Sequence, residues 1–155
     1  MRLTWSDNLV DVELDIAEAA RVISEALRDG VRDACADGAA EARSTHKYQD
    51  RTGGLTASIS GRVLVSTPGA ALGEIRATKE YASYVEGGTA PHVIEPRRAG
   101  ALRFQIGGRT VFATKVNHPG TQPKPFMAQA HLKAERVLQA RIEAGIERAR
   151  KIIED

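Results

Sequence analysis

Two segments with the apolar spacing of helices bracket this chain. From about residue 12 to 46, Ile16, Ala20, Ile23, Leu27, Val31 and Ala34 recur at intervals of three and four. That is one apolar stripe on a 3.6-residue period, and it predicts a long helix. Glu18, Glu25, Arg28, Arg32 and Asp33 fall mostly on its other face. Asp7 or Asn8 is placed to cap an earlier start. Gly30 and Gly38 each weaken a helix by about 1 kcal/mol relative to Ala, so a kink or a close contact is expected near them. The second segment runs from about Pro125 or Phe126 to Ile153, with a stripe of Leu138, Ile142, Ile146, Ala149 and Ile153.

Between them the pattern changes. Gln49 to Gly54 breaks the first helix. Leu55 to Val65 alternates as a strand, Thr67-Pro68-Gly69-Ala70 turns, and Ala71 to Ala77 returns. Lys79 to Glu86 reads as a short helix or turn with Tyr81, Tyr84 and Val85 on one side. After a proline-bearing loop, Ala101 to Ile106 and Arg109 to Val116 form a second hairpin. Its Gly107-Gly108 turn is expected to be of the primed type that glycine permits. A second proline loop, 117–125, leads into the last helix. The predicted fold class is α+β: long N-terminal and C-terminal helices packed on a small antiparallel sheet of two hairpins, with strands near 55–65, 70–78, 101–106 and 109–116.

A length of 155 residues suits one domain, 1–155, with a modest core. No apolar run is long enough to span a membrane. The opening MRLTWSDNLVDVELD turns acidic where a secretion signal needs its apolar core, so secretion is not expected. The lone Cys35 has no internal disulfide partner, and its neighbours Ala34 and Ala36 mark it as a small helix-packing residue.

Net charge is only +2 but unevenly spread. Residues 1–50 hold 11 acids and 6 bases; residues 51–155 hold 9 acids and 16 bases. Between Glu95 and Glu135 no carboxylate occurs, while Arg97, Arg98, Arg103, Arg109, Lys115, Lys124 and Lys133 do. Such a stretch suits either a polyanion or the acidic half of a neighbouring subunit. Aromatic residues make up 5%, poor for stacking on single-stranded nucleic acid.

Nothing in the sequence forms a reactive constellation. His46, His92, His118 and His131 have no metal-ligand spacing, and no nucleophile or acid stands at a recognisable distance from His118. Gly53-Gly54, Gly87-Gly88 and Gly107-Gly108 belong to no phosphate-binding motif and read as turns. No catalytic residue, cofactor or metal is expected, and the chain does not read as an enzyme.

Three segments carry a resemblance. Tyr81-Ala-Ser-Tyr-Val-Glu-Gly-Gly-Thr89 resembles the YAxYVExGT signature of a bacteriophage tail-component family typified by a Hong Kong lambdoid phage. Gly87 stands where that family often has a bulky apolar residue. Thr52-Gly53-Gly54-Leu55-Thr-Ala-Ser-Ile59 resembles the family's TGxLxxSI start of the first strand. Lys124-Pro125-Phe126-Met127-Ala128-Gln129-Ala130 resembles the proline–aromatic start of its last helix. The signature positions are thus Gly53, Leu55, Ile59, Tyr81, Tyr84, Val85, Glu86, Gly88, Thr89, Pro125, Phe126 and Ala130. They look like a fold signature, with the tyrosines and Val85 anchoring the short helix on the sheet.

The resemblance implies a structural virion protein: a tail-completion, neck or head–tail joining subunit of a long-tailed phage. It implies a ring of copies of itself, a hexamer being one candidate, in contact with other neck and tail proteins. It further implies a location at the head–tail junction after assembly in the host cytoplasm, with DNA in the lumen as a candidate contact. Arg97, Arg98, Arg103, Arg109, Lys115 and Lys124 are the candidate partner or DNA contacts. Loops 87–100 and 117–125 and the hairpin between them are expected to project. The alternatives are a small double-stranded DNA-binding module and, more remotely, a hydrolase using His118.

Overall fold

The computed structural model describes residues 5–154, with side chains from Asp15 onward. Helix α1 spans Trp5–Ser44, starting earlier than the apolar stripe predicts; Asp7 and Asn8 lie outside the described side chains. Helix α4 spans Met127–Glu154. The two pack along each other in antiparallel fashion, through their smallest residues. A Cβ on Gly30 would sit 3.1 Å from both Arg141 and Leu138, one on Gly38 would press on Ala130 and Ala134, and one on Gly145 would strike Ala26. The close contact expected near Gly30 and Gly38 is therefore present, and α1 runs through both.

The buried face matches the predicted stripe only in part. Ala19, Ala26, Val31, Ala34, Cys35, Ala39 and Ala42 are buried on α1, and Ala130, Gly145 and Ala149 on α4. Ile16, Ile23, Ile146 and Ile153 stay exposed. Val31, Ala34 and Ala149 of the predicted stripes are buried as expected, and Leu27, Leu138 and Ile142 half-buried, while these isoleucines lie off the seam. Two helices approach most closely where side chains are short, which leaves bulky residues on the flanks.

After α1, the first-strand segment begins instead with a short helix, α2 (Gly54–Ala57). Gly53 adopts a left-handed φ of 69°, Thr52 Oγ1 accepts the Gly54 N–H, and Asp50 Oδ2 accepts the Thr56 N–H at 2.8 Å. These local acceptors hold a helical turn where alternation alone suggests extended chain. Strand β1 (Ile59–Thr67) then pairs antiparallel with β2 (Ala70–Ala77). This hairpin lies against α1. Gly61 and Gly73 admit the Cys35 backbone and thiol, where any Cβ would collide. Helix α3 (Ala82–Gly87) follows.

The rest of the middle is an arm. Strands β3 (His92–Ile94) and β6 (Val116–His118) pair at its base, and β4 (Leu102–Ile106) and β5 (Arg109–Ala113) form the hairpin above. The β3–β6 pairing falls where His92–Ile94 and Asn117-His118 were read as loop, and it takes Val116 from the end of the predicted strand 109–116. Gly107 and Gly108 have φ of 55° and 80°, the primed turn expected. Among the described residues the strands form three two-stranded ribbons, and the long helices pack chiefly on each other and on β1–β2. The α+β class holds. No helix of the described residues is long and apolar enough to cross a membrane.

Candidate functional site

Phe126, 1% exposed, is the centre of the main apolar cluster. Around it stand Ala39 and Ala42 of α1, Tyr48, Leu55, Ile59, Ala82 and Ala130. The Tyr48 ring meets Phe126 edge-on at 5.2 Å and stacks on His46 at 3.9 Å. Gly53, Leu55, Ile59, Phe126 and Ala130, from two of the three signature segments, thus serve the cluster or the turn that leads into it.

The third segment is tied to the same place. The Glu86 carboxylate accepts three backbone N–H bonds at the start of α4: from Phe126 at 2.7 Å, Met127 at 2.9 Å and Ala128 at 3.2 Å. A helix leaves its first N–H groups without internal partners, and a negative charge there also suits the helix dipole. Glu86 therefore caps α4 from 40 residues away. Val85 C=O accepts the Lys124 N–H at 2.9 Å, and Thr89 and Thr121 exchange backbone bonds at 3.0 and 3.1 Å. Gly88 (φ 70°) lets the Thr121 carbonyl approach where a Cβ would stand. Pro125 lies just ahead of the helix, which starts at Met127 rather than at Pro125.

Tyr81 and Tyr84 do not anchor the short helix. They are 43% and 62% exposed. In a six-residue helix, positions 82, 85 and 86 share one side, and Ala82, Val85 and Glu86 occupy the inward one. The tyrosines instead wall an open cleft of about 1030 Å³ between the body and the base of the arm. Arg51, Arg97 and Lys124 line it together with His92 and His118, whose rings stand 5.0 Å apart on β3 and β6. No carboxylate lines it among the described residues. The nearby Asp50 is turned to Thr56, whose N–H bond holds its carboxyl below the ordinary carboxylate range, and Glu86 is taken up by α4. His118 Nδ1 accepts the Gly120 N–H at 3.1 Å, and His92 Nδ1 bonds to the Ala90 carbonyl at 2.9 Å.

Of the six predicted contact cations, the cleft brings together Arg97 and Lys124. Arg98, Arg103, Arg109 and Lys115 are exposed and spread along the arm. On the arm, Leu102, Phe104 and Val111 shelter one another in part, while Ile106 and Phe112 are exposed. Arg51 was not singled out in the sequence because nothing local ties it to the arm. Among the described residues no three His, Cys, Asp or Glu side chains converge as metal ligands.

The molecule is thus an antiparallel pair of long helices that carries a β-hairpin on its side and a projecting β-arm with a basic cleft at its base. Comparison with known proteins found no matching family model, no matching curated protein and no matching solved structure.

Proposed function

We propose that this chain is a structural subunit of the head–tail junction of a long-tailed phage, a neck or tail-completion protein that works as one copy in a ring. The observation that carries this reading is the interlocking of the three signature segments. Gly53–Ile59 and Phe126–Ala130 build the central cluster, and Glu86–Thr89 fastens to residues 121–128. In this reading the segments that resemble the family serve architecture, and what they leave open is a cleft and an arm suited to partners. An exposed arm with Ile106 and Phe112 uncovered is costly for an isolated subunit and suits burial in an assembly.

The test is genetic and structural. With the gene inactivated in its phage genome, electron microscopy of the lysate is expected to show DNA-filled heads and separate tails. Joined, infectious particles in normal yield would overturn the reading. The carboxylate-free stretch between Glu95 and Glu135 favours a second reading, a module that binds double-stranded DNA through its phosphates. That reading requires the isolated protein to bind random duplex with an affinity that falls steeply with salt.

A further inference from the structure

We infer that the acidic beginning of α1 of one copy seats in the basic cleft of the next, so that the subunits join head to tail. This rests on the ring-subunit reading above and names the two surfaces that make the contact. From Trp5 to Ala20 the chain carries Asp7, Asp11, Glu13, Asp15 and Glu18 and not one Lys or Arg. Asp15 and Glu18, three residues apart on α1, are neighbours on its surface. Of the described acids, Asp15 is exposed and Glu18 makes only an exposed pair with Arg21 at 3.4 Å. Such a pair contributes little and is easily exchanged.

The receiving cleft has the opposite character, with Arg51, Arg97 and Lys124, two histidines and no carboxylate on its walls. It is an open cleft of about 1030 Å³, so an occupant can enter it from outside. Tyr81 and Tyr84 offer the amphipathic surface that a helix with both acidic and apolar positions requires. A phosphate is the poorer occupant. The backbone N–H groups at the start of α4, beside Lys124, would ordinarily attract one, but Glu86 already occupies them with its own negative charge.

A copy cannot fill its own cleft. Asp15 and Ser44 stand about 44 Å apart in one helix at 1.5 Å per residue, and the cleft lies beyond Ser44, against Tyr48 and Arg51. Complementary patches at opposite ends of a subunit make a heterologous contact, which propagates and closes into a ring when the rotation per copy allows.

Sedimentation velocity of the purified full chain tests this, with circular dichroism confirming that each variant is folded. The wild type is expected to self-associate, less so as salt rises. Arg97→Glu with Lys124→Glu should weaken association roughly tenfold or more. Asp11→Lys with Asp15→Lys should do the same. Mixing the two variants should restore assembly with the two alternating, because each intact half meets its intact counterpart and the reversed halves, Lys on α1 and Glu in the cleft, attract one another as well. Cleft variants that assemble like the wild type would overturn the docking while leaving the ring-subunit reading intact. A mixture that stays monomeric would also overturn it, as would a wild type that remains monomeric in low salt at its highest attainable concentration. Loss of duplex-DNA binding with assembly unchanged would overturn it in favour of phosphate. Failure of the ring-subunit reading itself would show separately, as joined particles in the absence of the gene.

Discussion

Glu86 sits in a six-residue helix, yet its carboxylate holds three N–H groups of a helix 40 residues further on. Glu86→Ala is expected to cost about 1–2 kcal/mol, in the range of lost helix caps. Glu86→Gln keeps an acceptor and should cost less; urea unfolding of the two variants checks the order. Phe126 is the larger determinant. Phe126→Ala should cost on the order of 3–5 kcal/mol, because the surrounding Tyr48, Leu55 and Ile59 come from separate segments and cannot close the cavity together. An unchanged melting temperature would contradict its placement at the centre of the cluster. Cys35 gives a chemical check. Burial raises its thiol pKa, so folded protein should react slowly with a thiol reagent, and denatured protein promptly. Asp50 sets a pH limit. Its folded pKa lies below the unfolded value near 3.8. Its contribution is therefore complete above that value and is lost as pH falls through the lower, folded one. Asp50→Asn should flatten stability in that acid window and leave its slope at neutral pH unchanged.

At the scale of elements, α1 and α4 meet through glycine and alanine, and this distinguishes their packing from a leucine-rich seam. Gly145→Leu would drive a side chain into Ala26. It should destabilise the fold by about 1–3 kcal/mol or more, as overpacking does, whereas Ile146→Leu on the exposed flank should be close to neutral. Chemical denaturation of both variants compares them directly. The existence of both helices was legible from periodicity, as were both hairpins from their turns. The seam was legible only at Val31, Ala34 and Ala149, because residues such as Ile16 and Ala19 lie within one turn of each other and periodicity alone does not choose between them. The close fit at Gly30, Gly38 and Gly145 chose.

The whole molecule divides into a body, in which α1, α4, β1–β2 and the Phe126 cluster share a core, and an arm whose strands pair chiefly with one another. The arm is fastened at its base by the Thr89–Thr121 bridge and the Lys124–Val85 bond. Replacing residues 95–115 by a short Gly-Ser link should therefore leave the melting temperature of the body within a few degrees of wild type. It removes Arg97 from the cleft, so self-association should weaken even though the fold persists. A large loss of stability would show that the arm belongs to the core.

Read by itself, the chain determined its local structure: two long helices, hairpins at Pro68-Gly69 and Gly107-Gly108, a buried small Cys35, and a basic arm after an acidic beginning. Those features depend on neighbours a few residues apart, where spacing and turn chemistry act directly. Tertiary structure decided what depends on groups distant in sequence. It turned Tyr81 and Tyr84 outward, because Ala82, Val85 and Glu86 share the side that faces the core. It paired β3 with β6 across 21 intervening residues, 95–115. It also brought Arg51, Arg97 and Lys124 to one cleft and placed the acidic start of α1 at the other end of the helix pair. No local pattern encodes such distances. They follow from where two antiparallel helices, pressed together at their glycines, leave the chain ends and loops.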